Sequence, residues 1–124
     1  TLAVVLEHDE YKGKVYLEYE YDHGDSWNHQ ITVIGRADSE LRNALGGIQQ
    51  KVFCMSGEGH PCAEDVGGPP GWEDMKELFR KKGKKDPEGR KEWYKIMCAN
   101  GDPKGLDPYK WDILEVNDAL AEIE

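Results

Sequence analysis

Hydrophobic and polar residues alternate in two segments near the amino terminus. In residues 14–22, acidic side chains alternate with a hydrophobic set made of Val15, Leu17, Tyr19 and Tyr21. A period of two predicts a half-buried strand. Residues 29–35 alternate again, and the connection over residues 23–28 contains glycine, aspartate and asparagine. The two segments therefore predict an antiparallel hairpin.

Two shorter segments rich in β-branched and aromatic residues, 2–7 and 51–54, predict further strands. Residues 37–47 predict a short helix that is capped by Asp38 or Ser39 and ended by a glycine pair.

Helical spacing of hydrophobic residues predicts three helices in the second half of the chain. The first has an apolar face made of Trp72, Met75, Leu78 and Phe79. The second begins at Asp86-Pro87-Glu88, with Asp86 as its cap, ends near residue 100 and has an apolar stripe of Trp93, Ile96 and Met97. The third is capped by Asp112 and buries Ile113, Val116, Leu120 and Ile123.

This order of elements, strands first and helices afterwards, predicts an α+β fold. We expect an antiparallel sheet, with the hairpin near the amino terminus, that is covered on one face by about three helices. The whole chain, residues 1–124, is expected to form a single domain.

The segment from Gly57 to Trp72 interrupts these patterns because it is rich in glycine and proline. Such a composition argues against a regular helix or a central strand. The segment also carries His60, Cys62, Glu64 and Asp65, side chains that a flexible linker does not need. It is predicted to be an ordered loop that packs against the turn of the hairpin.

Net charge and cysteine content restrict the classes of function. The 124 residues carry a formal net charge of −9, which argues against nucleic acid as a partner, although residues 80–85 are locally basic. The three cysteines are an odd number, which favours a reducing, cytoplasmic or nuclear location over a disulfide framework. No hydrophobic run approaches the length of a membrane span, so a membrane partner is not expected.

Packing of the loop on the hairpin turn would bring together a candidate pocket of six residues: Asp25, Trp27, His29, Glu64, Asp65 and Trp72. In a pocket, Asp25 accepts hydrogen bonds or ligates, Trp27 stacks on a ligand and His29 transfers a proton. The competing interpretation is structural: Asp25 accepts hydrogen bonds from amides of the turn, and Glu64 and Asp65 accept them from amides of the loop.

A zinc site is a weaker hypothesis. Cys54, His60 and Cys62 do not have the tight paired spacing of structural zinc ligands, and buried thiols of this kind are commonly inert. Known nucleophile and nucleotide-binding motifs are not recognisable in the sequence. No metal and no other cofactor is predicted.

Three motifs resemble those of a known family. The first, residues 21–29, reads Tyr-Asp-His-Gly-Asp-Ser-Trp-Asn-His. The second, residues 54–71, contains Cys54, Gly57, Glu64-Asp65 and the glycines that follow them, and the third, residues 105–117, contains Leu-Asp-Pro, Trp-Asp and Val-Asn. Together they resemble the Ri-plasmid open-reading-frame-three-like family, also labelled transposon-passenger resolvase-like. The resemblance implies an α+β fold and no firm biochemical role; a serine-recombinase constellation is not recognisable.

The chain departs from the family pattern in places. His23 stands where the family usually has Phe, and residues 60–63 replace an Arg and paired prolines. Members usually carry an additional amino-terminal half, so the chain is expected to be the carboxy-terminal part of a longer domain.

The leading functional hypothesis is a non-enzymatic interaction or ligand-binding module. Its partner would be another protein, or the additional amino-terminal half, docked at a sheet edge. In one version Trp27 and Trp72 stack on a small ligand. The alternative is a metal-assisted hydrolase, acting on phosphodiesters, that uses Asp25, His29 and Glu64 as ligands. Whether the protein is an enzyme is left open by the sequence.

Overall fold

The computed structural model of the protein describes residues 8, 16–35, 38–45 and 52–123. In chain order the elements are β1 (Leu17–Tyr21), β2 (Trp27–Ile31), α1 (Ser39–Leu45), α2 (Gly68–Arg80), α3 (Arg90–Ile96) and α4 (Ile113–Ala121). The chain divides into two compact units, residues 1–49 and 50–124. Strands followed by helices make the fold α+β, as predicted.

The first unit contains the predicted hairpin. β1 and β2 pair antiparallel, with Tyr19 opposite His29 and Tyr21 opposite Trp27. The turn is closed by Asp22, whose carbonyl accepts the N–H of Ser26 (2.6 Å) and whose carboxylate accepts the N–H of Gly24 (2.9 Å). Because this turn is short, β2 begins at residue 27, two residues earlier than predicted, and ends before Gly35.

The two faces of the hairpin differ in chemistry. Side chains of residues 17, 19 and 21 share a face with those of residues 27, 29 and 31, and this face is largely hydrophobic. It is also open to solvent, since Tyr19 is 56% exposed and Ile31 is 47% exposed. The predicted strand over residues 2–7 lies outside the described residues, and the packing of helices on the sheet stays a prediction.

Two of the predicted helix caps are present. The Asp38 carboxylate accepts the N–H of Glu40 (2.7 Å), so Asp38 rather than Ser39 caps α1. The Asp112 carboxylate accepts the N–H groups of Leu114 (2.9 Å) and Glu115 (3.2 Å) at the start of α4. Both contacts satisfy amides that have no intrahelical acceptor.

α2 begins earlier than expected. The prediction that residues 57–72 contain no regular helix is wrong for the last five, because α2 starts at Gly68 and includes Pro69 and Pro70. Proline is tolerated there because the first amides of a helix have no intrahelical acceptor, so the missing N–H costs nothing.

α3 also differs from its prediction. Pro87 lies in a turn before the helix, which starts at Arg90. The N-cap residue is Gly89 and not Asp86 as predicted, although the two carboxylate oxygens of Asp86 accept the N–H groups of Arg90 and Lys91, both at 2.9 Å. The predicted apolar stripe is wrong: Ile96 is 70% exposed and Met97 is 74% exposed.

The inward face of α3 carries Tyr94 instead, which is fully buried. Arg90 lies one turn earlier on this face, and its guanidinium donates to the carbonyls of Val66 (3.1 Å) and Gly71 (3.2 Å). A charged residue thus occupies a position that a hydrophobic pattern would have assigned to an apolar one, because it satisfies loop carbonyls.

Residues 52–54 have irregular backbone, so the predicted strand over 51–54 is wrong for the part described. The side chain of Asn117 takes the place of a neighbouring strand: its oxygen accepts the Cys54 N–H (2.8 Å) and its amide donates to the Cys54 carbonyl (3.0 Å). An asparagine side chain can make both bonds because it presents a donor and an acceptor side by side.

The core of the second unit is formed by the loop, α2 and α3. Its buried hydrophobic residues are Ala63, Val66, Trp72, Met75, Leu78 and Tyr94. The predicted buried face of α4 is wrong: Val116 and Leu120 are half-buried, whereas Ile113 is 37% exposed and Ile123 is 51% exposed. α4 therefore borders the core of this unit without entering it.

Candidate functional site

The six residues of the predicted pocket divide between the two units. Asp25 lies in the hairpin turn, and Trp27 and His29 lie on β2. Glu64 and Asp65 lie in a turn of the loop, and Trp72 lies on α2. The convergence of the two sets stays a prediction.

Within the hairpin, His29 contacts its immediate neighbours. Its ring lies 5.9 Å from the Tyr19 ring, and its Nδ1 lies 3.2 Å from the Trp27 carbonyl oxygen. His29 is exposed, whereas Asp25 and Trp27 are half-buried. These contacts are those of an ordinary cross-strand pair.

The acidic pair of the loop is held by Asn100. The Asn100 side chain accepts the N–H of Glu64 (2.9 Å) and donates to the Cys62 carbonyl (2.6 Å). Asp65 has φ of 57°, a left-handed conformation that Asp adopts more readily than most residues. Asn100 thus fixes the backbone of the loop at the point where it turns towards α2.

Trp72 is part of the core. It is 8% exposed, and its ring lies 5.3 Å from the ring of His60. A side chain this deeply buried offers little surface to a ligand, so within this unit Trp72 supports His60.

The candidate zinc ligands make other contacts. The Cys54 thiol donates to the Ser56 carbonyl (3.4 Å), and Nε2 of His60 is bonded to the Tyr94 hydroxyl. Burial raises the pKa of the Cys62 thiol, which disfavours the thiolate that metal binding requires. Over the described part of the chain, His, Cys, Asp and Glu side chains form no group of three that could hold a metal ion.

A cleft of about 660 Å³ lies in the second unit, between the loop and the segment that runs from residue 99 through α4. The side chains that give it its chemical character are those of His60, Tyr94, Asp102, Lys110, Trp111 and Glu115. The volume falls within the usual range of small-ligand sites.

The two walls of the cleft are joined by backbone contacts. The N–H of His60 donates to the Pro108 carbonyl (3.0 Å), and Asn117 binds Cys54 as described above. Gly57 lies directly on the indole of Trp111, where any larger residue would overlap the ring. The second and third sequence motifs, residues 54–71 and 105–117, therefore meet at this cleft.

His60 lies where these contacts converge. Burial lowers the pKa of His60, the positive charge of Lys110 lowers it further, and Asp107 and Asp102 act in the opposite direction. The Tyr94 hydroxyl lies 3.1 Å from Nε2. Burial also raises the pKa of Tyr94, so both partners are in their neutral forms at neutral pH.

Two of the residues that line the cleft each have a nitrogen atom without a hydrogen-bond partner. His60 Nδ1 and Trp111 Nε1 are both buried, and neither has a hydrogen-bond partner among the described residues. A buried polar atom without a partner costs about 1–3 kcal/mol, so two in the lining of one cleft call for an explanation.

Comparison with protein-family models places the chain. A model described as plasmid pRiA4b ORF-3-like protein matches residues 3–115, nearly the whole sequence. The chain belongs to the plasmid pRiA4b ORF-3-like family. No curated protein and no solved structure matches the chain.

The motifs that suggested the plasmid pRiA4b ORF-3-like family have structural roles here. Gly57 makes room for Trp111, Asn117 binds the backbone of Cys54, and Gly71 lies against the Val66 carbonyl. The family description names no biochemical role.

None of the helices that the structure describes is long and apolar enough to cross a bilayer.

Sequence reasoning missed the central pair of the cleft. The sequence suggests His60 only as a zinc ligand, and Tyr94 lies outside the predicted stripe of its helix. The two are 34 positions apart, so no local pattern relates them. The loop composition gave one usable signal, because a histidine among glycines and prolines lies where the backbone comes close to other segments.

The basic segment over residues 80–85 is partly neutralised. Glu77 lies 3.4 Å from Arg80, 3.1 Å from Lys81 and 3.3 Å from Lys84. Side-chain hydrogen bonds from Lys81 and Lys84 lower the pKa of Glu77. These contacts are those of a solvated helix end.

Proposed function

We propose that this protein is a non-enzymatic interaction module that binds its ligand in the cleft between the loop and the segment from residue 99 through α4. The observation that supports this is the pair of buried nitrogens, His60 Nδ1 and Trp111 Nε1, without partners in the walls of one cleft. Polar atoms left over in a concave site are the usual means of orienting a ligand.

Binding fits the cleft better than catalysis. The Asp102, Asp107 and Asp112 carboxylates each accept a backbone N–H, which fixes them in place. For Asp102 a backbone hydrogen bond from Lys104 lowers the pKa, so this carboxylate stays ionised at neutral pH. Nε2 of His60 is already bonded to Tyr94, so it is not available as a general base.

A protein partner at the hairpin is a second candidate. The hydrophobic face of the hairpin is open to solvent, with Tyr21 43% exposed and Ile31 47% exposed. Aromatic residues on an exposed strand face are typical of protein interfaces. Under this candidate the partner, or an additional amino-terminal half, completes the sheet. An intracellular location fits both kinds of partner.

The metal-assisted hydrolase is the competing hypothesis. It requires Asp25, His29 and Glu64 to share one ion, and elemental analysis of the purified protein tests it. A stoichiometric metal that is lost in Asp25→Asn would favour the hydrolase, and a metal content that Asp25→Asn does not change would count against it.

The proposal is tested by nuclear magnetic resonance on the full ¹⁵N-labelled chain. Three capped tripeptides, acetyl-Gly-X-Gly-amide with arginine, citrulline or glutamate at X, are titrated to millimolar concentration. We expect at least one to cause saturable shifts in the residues that line the cleft. If none does so, the proposal is wrong.

A matched pair of variants makes the test specific. Ala119 and Ala121 are both exposed alanines of α4, but only Ala119 lines the cleft. Ala119→Leu should fill the cleft and weaken binding, whereas Ala121→Leu should not. Equal effects of the two substitutions would place binding elsewhere on the protein.

A further inference from the structure

We propose that the ligand of the cleft is a basic peptide segment, with a main-chain carbonyl held by the two unpartnered nitrogens and an arginine or lysine side chain held by the acidic rim. This inference rests on the proposed function and names the class of ligand. Its evidence is the hydrogen-bonding character of the two nitrogens and the balance of charge along the lining.

Both nitrogens act as donors. The indole Nε1–H of Trp111 can only donate. For His60 we assign the Tyr94 hydroxyl, 3.1 Å from Nε2, as the donor to that nitrogen. The proton of the neutral imidazole is then on Nδ1, so each of the two nitrogens can donate an N–H to an oxygen acceptor.

The charge of the lining excludes an anionic acceptor. Four carboxylates line the cleft, those of Asp102, Asp107, Asp112 and Glu115, against the single ammonium group of Lys110. Lys110 is itself 3.7 Å from a carboxylate oxygen of Asp102. A phosphate or a carboxylate would be repelled by this excess of negative charge, whereas an uncharged amide carbonyl would not.

The same excess of negative charge attracts a cation next to that carbonyl. Asp112 and Asp107 each use Oδ1 for backbone amides, at 2.9 Å and 3.0 Å, so their carboxylates are held rigidly and their second oxygens are not used by those amides. Fixed carboxylates suit the planar guanidinium of arginine, which binds them through two parallel hydrogen bonds. An amide carbonyl next to a cationic side chain is what a basic residue in a peptide presents.

Access to the donors requires a small movement of the cleft wall. His60 Nδ1 and Trp111 Nε1 are buried, yet both residues are only half-buried as a whole. Changes of side-chain rotamer at a binding surface are common when a ligand binds. The resonance of the Trp111 indole proton reports this step directly, because it moves downfield when an acceptor is bound.

The experiment measures binding of acetyl-Gly-Arg-Gly-amide to the full chain by calorimetry and by nuclear magnetic resonance. Citrulline has nearly the shape of arginine without its charge, so the citrulline peptide isolates the contribution of the cation. We expect the arginine peptide to bind about tenfold more tightly, with an affinity that falls as salt is added. The Trp111 indole signal, identified by its loss in Trp111→Phe, should move downfield at saturation.

The outcomes separate this inference from the proposed function. Equal binding of the arginine and citrulline peptides in the cleft, or tighter binding of the glutamate peptide, would overturn the basic-peptide inference and leave the binding module standing. Binding of the arginine peptide without any shift of the Trp111 indole would overturn the assignment of the carbonyl. Absence of saturable shifts with all three peptides would overturn the proposed function itself.

Two glutamates of α4 and its carboxyl end provide matched variants. Glu115 lines the cleft and Glu122 does not, and both are exposed. Glu115→Gln should weaken binding of the arginine peptide by up to about fivefold, the range expected for an exposed ion pair. It should leave binding of the citrulline peptide unchanged. Glu122→Gln should change neither, and an equal loss in both variants would contradict a role for the acidic rim.

Discussion

The hairpin of the first unit and the loop of the second reverse the usual relation between regular structure and burial. The hairpin is regular, yet Tyr19 on its hydrophobic face is 56% exposed. The loop is irregular, yet Ala63 is 1% exposed and Val66 is 5% exposed. The core of the second unit is therefore built around a segment that lacks secondary structure over much of its length.

The difference lies in where backbone groups find their partners. In the hairpin, each strand satisfies the other through a ladder over adjacent residues. In the loop, backbone groups are bonded by side chains that are distant in sequence. Asn100 accepts the N–H of Glu64, Asn117 accepts the N–H of Cys54, and Arg90 donates to the Val66 carbonyl. Irregular backbone can be buried when such partners are supplied.

The largest expected effect comes from truncating the core. Met75 is fully buried, so Met75→Ala should lower the free energy of unfolding by about 3 kcal/mol. Tyr19→Ala removes a larger side chain from the hairpin face but should cost about 1 kcal/mol, because that side chain is half exposed. Urea denaturation monitored by tryptophan fluorescence measures both, and a larger loss for Tyr19→Ala would break the comparison.

Substitution of one glycine in each region should give the next largest difference in the free energy of unfolding. At Gly71 an added methyl would overlap the carbonyl of Val66, so Gly71→Ala should cost about 2–3 kcal/mol. At Gly24, in the hairpin turn, the nearest atom is the flexible carboxylate of Asp22 at 3.1 Å. Gly24→Ala should therefore cost well under about 1 kcal/mol, and comparable thermal midpoints for the two variants would contradict the close approach at Gly71.

Asparagine substitutions compare the two regions by hydrogen bonding alone. Asn117→Ala leaves the N–H and C=O of Cys54 without their partner and should cost about 1–3 kcal/mol. Asn28→Ala removes an exposed 3.4 Å contact with the Ser26 carbonyl and should cost about 0.5 kcal/mol or less. Chemical denaturation of both variants distinguishes them, and equal costs would mean that Asn117 does not hold the loop.

The smallest expected effect is a pH dependence that arises in the loop. Because burial lowers the pKa of His60 below 6.5, the unfolded chain takes up a proton before the folded one as pH falls. Stability should therefore decline as pH is lowered through about 6.5 and level off below the pKa of the folded state. Carboxylates with lowered pKa values, such as Asp102, contribute only in more acidic solution.

His60→Gln isolates this effect. The variant should be less stable at neutral pH but should lose the decline that sets in as pH falls through about 6.5, as measured by denaturation at several pH values. A decline as steep as that of the unsubstituted protein would show that His60 is not the group responsible.

Features set by neighbouring residues were predictable from the sequence. The hairpin follows from alternation, and the caps formed by Asp38 and Asp112 follow from their positions before a helical pattern. Asp86 bonds the first amides of its helix, as its position suggests, although the N-cap residue is Gly89. In each case the interacting groups are within a few residues, so the local sequence contains the whole interaction.

The loop and its cleft were not predictable in the same way. Their contacts join residues far apart in sequence, such as His60 with Tyr94 and Cys54 with Asn117. The early start of α2 is not predicted because prolines generally break a helix, although in a first turn they do not.

Hydrogen exchange of the full chain tests most directly the claim that the stable core lies beneath the irregular loop and not in the hairpin. The amide of His60, bonded to the Pro108 carbonyl, and those of α2 around Met75 should exchange at least about a hundredfold more slowly than the amides that pair β1 with β2. Isolated two-stranded hairpins are marginally stable, which gives the direction of the difference. If the hairpin amides exchange as slowly as, or more slowly than, the His60 amide, the account is wrong.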